Sequence, residues 1–155
     1  MVKVPNTNTF SLQDVVNVVI PISNNLVQCF TDSIDGFFDI AYKGSKDRLS
    51  NFRNYGATLT IYPTGVGFTH DGGKCSNPTD YSGFTINVTT QTGNAWTATR
   101  NASWIYLNGG TDPITGNGNG SFLVEVTPGG PRSSSVSVTS THATTATLTV
   151  QEDMC

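Results

Sequence analysis

Trp96 and Trp104 offer broad flat rings on which the CH face of a pyranose can stack, and Tyr81 and Tyr106 could extend such a platform. Both tryptophans also sit in alternating stretches beside apolar neighbours, which reads as core packing, most firmly for Trp96. Tyr81, Tyr106 and Trp104 are therefore the candidate glycan-contacting residues. His70, Asp71 and Cys75 lie close together but lack the second ligand cluster of a zinc site. Asp112 with Asn117 and Asn119 lacks the spacing and closing bidentate acid of a calcium loop, so no metal and no cofactor are expected. Nucleophilic catalysis needs a base held by an orienting acid, and His142 has none nearby in the chain. Within residues 57–155, a carboxylate pair for glycoside hydrolysis could come only from Asp71, Asp80, Asp112, Glu125, Glu152 and Asp153. Glu125 alternates away from Phe122, Val124 and Val126 and should face solvent. The expectation is a protein that is not an enzyme.

The elements that would position these residues follow two grammars. From Ala57 onward apolar residues recur with period two: Leu59 and Ile61; Phe84, Ile86 and Val88; Phe122, Val124 and Val126; Val136 and Val138; Leu148 and Val150. Between them lie turn clusters such as Pro63 to Gly65, His70 to Gly73, Gly116 to Gly120 and Pro128 to Pro131. About seven short strands so separated read as an antiparallel β-sandwich over residues 57–155. Arg132, after Pro131, should start a strand and either cap carbonyls or pair with a carboxylate.

Residues 1–56 read differently, as a short, partly helical adaptor. Ser11 stands three residues before Asp14 in the manner of a capping box, and Leu12, Val15, Val16 and Val19 then recur at helical spacing until Pro21. A second helix is expected from Ser23 or Asn24 to about Asp32, with Leu26, Val27 and Phe30 on one stripe. Phe37, Phe38, Tyr42, Leu49, Phe52 and Tyr55 then crowd into a stretch too short to bury them alone. They require a partner or the following domain. Arg48 and Arg53 among these rings suit an interface, so Phe37, Phe38, Tyr42, Arg48, Phe52, Arg53 and Tyr55 form the candidate docking surface.

Composition supports the β assignment and removes several partners. Thr, Ser and Asn number 23, 14 and 14, while charged residues make up 12% of the 155, about half the usual share. β-branched Thr suits a half-wet strand face, and Asn and Ser suit turns. A net charge of -3 leaves no basic excess for nucleic acid or an anionic membrane. No apolar run approaches the roughly 20 residues of a membrane span, and the first residues lack the pattern of a secretory signal. Cys29, Cys75 and Cys155 are odd in number and far apart, so reduced thiols in a cytosol-made protein are expected.

The stretch Leu59 to Glu152 resembles the BACON family of immunoglobulin-like modules found in Bacteroidetes proteins and their phages. The resemblance rests on Gly83-Phe-Thr-Ile-Asn-Val88, Ala95-Trp96, Ala102-Ser-Trp-Ile-Tyr-Leu107, the Gly116 to Gly120 turn before Phe122-Leu-Val-Glu-Val126, Pro131-Arg132 and Ala146-Thr-Leu-Thr-Val-Gln151-Glu. It implies a seven-stranded sandwich serving as a spacer or carbohydrate-adhesion module. Thr9 to Val16 with Ser45 to Gly56 resembles a leader of small proteins from Bacteroidetes phages and prophages, including crAss-like ones. Together these resemblances imply a virion structural protein: a head fibre, capsid decoration or tail appendage assembled in the host cytoplasm. Its expected partners are capsid or tail proteins, further copies of itself, possible as a trimer, and host or mucin glycans. The alternative is a carbohydrate-binding surface module of a Bacteroidetes cell.

Overall fold

A computed structural model describes residues 3–7, 9–19, 21, 25–44, 48–52, 55–153 and 155. Helix α1 spans Leu12–Val19, and its entry is the expected capping box. The Ser11 amide donates to Asp14 Oδ2 at 2.7 Å while the Asp14 amide donates to Ser11 Oγ at 3.3 Å. The Ser11 amide, together with the Ser11 hydroxyl donating to the same Oδ2 at 2.9 Å, holds the Asp14 carboxyl below its ordinary range. Helix α2 spans Leu26–Asp32, capped by Asn25, whose Oδ1 accepts from the Gln28 amide at 2.8 Å. The cap is thus one or two residues later than expected, and Ser23 and Asn24 lie outside the described residues. Short 3-10 turns at Asp35–Phe37 and Leu49–Phe52 carry the chain to the sandwich.

The remainder is the expected mainly-β sandwich, with nine strands rather than seven: β1 Leu59–Tyr62, β2 Gly65–Phe68, β3 Phe84–Thr90, β4 Ala95–Arg100, β5 Ile105–Leu107, β6 Ile114–Asn117, β7 Gly120–Val126, β8 Arg132–Ser140 and β9 Ala143–Glu152. One sheet has the order β1-β3-β7-β5 and the other β2-β9-β8-β4-β6. All pairs are antiparallel except β2 with β9. The extra strands β2 and β6 are glycine-bearing segments that read as turns because glycine hides the alternation of side chains. In β6 the glycine has a packing cause. A Cβ on Gly116 would lie 2.3 Å from the Trp96 ring, whose Nε1 donates to the Gly118 carbonyl at 2.9 Å.

The inward residues named by the period-two pattern form the core. Ile86, Val124, Val136, Val138, Leu148 and Val150 are fully buried, and Trp96 is 4% exposed, as its setting predicted. A chain of polar bonds ties the sheets at one end. Ser140 Oγ donates to Asn94 Oδ1, Asn94 Nδ2 donates to Thr90 Oγ1 at 2.6 Å, and Thr90 Oγ1 donates to the Thr58 carbonyl at 2.5 Å. Asn94 is wholly buried, so this satisfied network is what makes its burial tolerable.

The N-terminal segment is docked onto that same end. Ile34 and Gly36 abut Gly93 and Thr92, and the Phe37 ring meets His142 edge-on at 5.3 Å. The candidate docking surface is corrected here. Phe37, Phe38, Phe52 and Tyr55 are 3%, 8%, 0% and 1% exposed, so they serve the chain's own core. Phe52 lies 4.5 Å from Phe30, 5.1 Å from Phe38 and 5.3 Å from Tyr55 between ring centroids. Phe37 reaches the following domain at His142, while Phe38, Phe52 and Tyr55 pack on one another and on Phe30 of α2. Tyr42 is half-buried, Arg48 is exposed, and Arg53 lies outside the described residues.

Tyr55 anchors this cluster through its hydroxyl, which accepts from the Ile34 amide at 2.7 Å. Burial pushes its phenol from 10.0 to about 12, helped by nearby Asp35 and Cys29 and opposed by the Ile34 bond. The folded state therefore keeps the proton after the unfolded chain has lost it. The resulting stability is intact below pH 10.0 and is lost as pH rises toward about 12, by roughly 2–3 kcal/mol. Urea titrations between these limits should show that decline in the native chain and a shallower one in Tyr55→Phe.

The thiol expectation is also corrected. Cys75 and Cys155 form a disulfide with Cα atoms 5.6 Å apart, and Cys29 is the free, buried cysteine. Parallel pairing of β2 with β9 brings together positions separated by 80 residues, which spacing along the chain could not reveal.

Candidate functional site

Strand register gives the molecule two poles. The proximal pole holds the Leu59 end of β1, the Thr90 end of β3, the Ser140 end of β8 and the docked N-terminal segment. At the distal pole lie the start of β3, the end of β7, the start of β8 and the end of β9, since Phe84 pairs with Val124 and Arg132 with Glu152. The loop from Thr69 to Gly83 belongs to the distal pole. Its His70 carbonyl accepts from the Gly129 amide at 3.2 Å, and Gly72 abuts Val126 and Pro128.

All three candidate glycan residues fall at this distal pole. Trp104 precedes β5, and its carbonyl accepts from the Thr127 amide at 3.0 Å. Tyr106 lies within β5 opposite Glu125 of β7, and both are half-buried. Glu125 is thus less open than its alternation suggested. Tyr81 sits in the distal loop and is 58% exposed. Their ring environments differ. Arg132 Cζ lies 4.4 Å over the Trp104 ring, and Arg100 Cζ lies 5.8 Å from the centre of Tyr106. One face of the Trp104 ring is therefore covered, which leaves Tyr81 as the open aromatic among the three.

Arg132 has the structural role expected of it. Its Nε donates to Glu152 Oε2 at 2.5 Å, and its Nη2 donates to the Thr127 carbonyl. Glu152 is 0% exposed, and its second oxygen, Oε1, lacks a hydrogen-bond partner among the described residues. The pair fixes the ends of β8 and β9 beneath Trp104. Arg100, which sequence reasoning passed over, does similar work: Nε donates to the Thr111 carbonyl, and Nη1 to the Ser103 and Ile105 carbonyls at 2.6 and 2.9 Å. The signal for it was its position closing β4 just ahead of Trp104.

The distal loop is itself well braced. Lys74 Nζ donates to Asp80 Oδ2 at 2.8 Å and to Ser82 Oγ at 3.0 Å, and its ammonium lies 5.4 Å from the Phe84 ring centre. Hydrogen bonds from Lys74 and Ser82 hold the Asp80 carboxyl far below the usual carboxylate range. Tyr81 is thus carried on a fixed turn.

A further exposed aromatic was also missed. Tyr62 is 76% exposed and lies opposite Asn87 on the outer face of the β1-β3-β7-β5 sheet. Alternation from Leu59 and Ile61 would have placed it outward. A 300 Å³ apolar groove lined by Ala57 to Thr60, Thr144 and Thr145 opens where β1 meets the start of β9, away from the distal aromatics. Among the described residues no group of three or more His, Cys, Asp or Glu could hold a metal ion, and no helix is long and apolar enough to cross a membrane.

Neither a protein-family model nor a curated protein matches the chain. Among solved structures it is similar to a Bacteroides ovatus GH5 xyloglucanase in complex with a XXXG heptasaccharide, at 17% identity and a TM-score of 0.47, covering 61% of this chain and 18% of that one. It is also similar to WR4, a C. elegans MSP family member, at 10% identity and a TM-score of 0.43, covering 61% of this chain and 96% of that one.

Proposed function

We propose that this chain is a non-catalytic phage structural protein whose proximal end faces the particle and whose distal pole is displayed for weak, multivalent glycan contact. The observation that supports the reading is the polarity of the fold. The N-terminal segment occupies one pole, while Tyr81, Trp104 and Tyr106 occupy the other. Because the aromatic cluster is internal, the particle-facing surface reduces to what the segment leaves outside, notably Val27 at 76% and Ile40 at 93% exposure. Many copies on one particle would raise effective concentration, so a single open ring per module suffices for adhesion.

Mass spectrometry of purified particles should find the chain at a stoichiometric copy number, and Val27→Asp with Ile40→Asp should remove it while the free protein stays folded. Full incorporation of the double variant rejects the mounting surface. Clustered protein should be retained on capsular or mucin glycan arrays, and Tyr81→Ala should reduce that retention by roughly tenfold, equivalent to about 1.4 kcal/mol. A second reading, a surface carbohydrate-binding module of a Bacteroidetes cell, is favoured by the Cys75–Cys155 bond, since disulfides persist outside reducing cytosol. In that case the chain is found on the cell envelope and is absent from particles.

A further inference from the structure

Two cysteines that close a bond can be held together by the bond itself or by the fold around them. Here backbone pairing places Cys75 and carries the other end of the chain as far as Asp153, two residues before Cys155. The Cys75 amide donates to the Gly67 carbonyl of β2 at 3.0 Å, and Phe68 bridges Lys74. Across β2, the Asp153 amide donates to the Phe68 carbonyl at 2.8 Å, and β2 is paired along its length with the end of β9. The strand β2 is therefore flanked on one side by the turn bearing Cys75 and on the other by the segment leading to Cys155. Gly67 lies beneath the bond, since a Cβ there would stand 2.8 Å from Cys75 Sγ.

Access separates the three thiols. Cys155 is exposed and Cys75 half-buried, whereas Cys29 is 0% exposed in α2, at the other pole. Burial, with Asp32 nearby, also pushes the Cys29 thiol up, which keeps it protonated and unreactive.

We propose that Cys75–Cys155 is a redox-operated clip that closes on an already folded sandwich, fastening the distal loop to the end of β9. The oxidant is a small-molecule disulfide of the glutathione class. The Cys155 thiolate attacks one sulfur of the oxidant, whose S–S bond breaks and releases one thiolate that takes up a proton. The Cys75 thiolate then attacks the Cys155 sulfur of the mixed disulfide and expels the second thiolate. Two protein thiols are oxidised, one small disulfide is reduced to two thiols, and the protons pass from the first pair to the second. The reverse exchange with a thiol reductant opens the clip. The inference does not depend on what the distal pole binds. A protein folded in a reducing interior would gain this bond on exposure to an oxidising medium.

The test uses the full chain, oxidised with glutathione disulfide or reduced with dithiothreitol. Thiol titration should find no reactive thiol in the native oxidised protein, two in the native reduced protein and three only when the reduced protein is denatured. Amide NMR spectra of the two forms should both be those of a folded chain, with shift changes confined to residues near 65–83 and 149–155. Adding glutathione disulfide to the reduced native protein should restore the first spectrum without unfolding, and Cys29→Ser should behave identically. Loss of dispersed signals on reduction would make the bond a requirement for folding and overturn the clip. So would a shift pattern spread through the core, or reaction of Cys29 in the native state.

Discussion

Arg132→Ala should destabilise the chain by about 3 kcal/mol, the lower end of the cost of breaking a buried ion pair, because the Arg132 side chain keeps 28% of its surface in contact with water. The cost falls on Glu152. Its carboxylate is 0% exposed, Oε2 accepts from Arg132, and Oε1 has no hydrogen-bond partner among the described residues. With the cation gone, a buried charge would lose its counter-ion, and the Trp104 ring would lose the guanidinium carbon 4.4 Å over it. For a chain of 155 residues this corresponds to roughly 6–12 °C in Tm. Urea unfolding of Arg132→Ala and of Arg132→Ala with Glu152→Gln separates the terms. The neutral amide should recover a large part of the loss if the orphaned charge dominates. A single variant as stable as the native protein would mean that water reaches Glu152 and that the pair contributes little.

Phe52→Ala should cost about 3–5 kcal/mol in the isolated chain, the usual effect of emptying an aromatic site in a packed core. Phe52 is 0% exposed and touches Phe30, Phe38 and Tyr55, so its removal leaves a cavity bounded by rings held from several directions. The Tyr55 hydroxyl is fixed by the Ile34 amide, which limits how far the cluster can collapse. Denaturant unfolding followed by tryptophan fluorescence checks this, because both tryptophans lie in the sandwich and not in the N-terminal segment. A lower midpoint seen by those probes would show that segment and sandwich unfold together. An unchanged midpoint, with loss of particle binding alone, would restore the cluster to the role of an external docking patch.

Features governed by a few neighbouring residues were legible in the sequence. The capping box depends on Ser11 and Asp14 within one turn, and both bonds are present. The core strands depend on alternation, and Ile86, Val124, Val136 and Leu148 are buried as alternation requires. Trp96 was readable as core, and Arg132 as a strand-starting residue that caps a carbonyl or pairs with a carboxylate; it does both.

What tertiary structure alone decided were the partners. Which acid Arg132 would take could not be read, because Glu152 lies 20 residues away and meets it only through the β8–β9 register. The aromatic run from Phe37 to Tyr55 announced a need for burial without saying against what, since ring chemistry is the same on a neighbouring protein as on the chain's own pole. The disulfide needed two half-chains to converge over 80 residues, and composition pointed the other way. Local rules act through bonds spanning a few residues, and long-range choices are made by whichever surfaces the folded strands bring within contact distance.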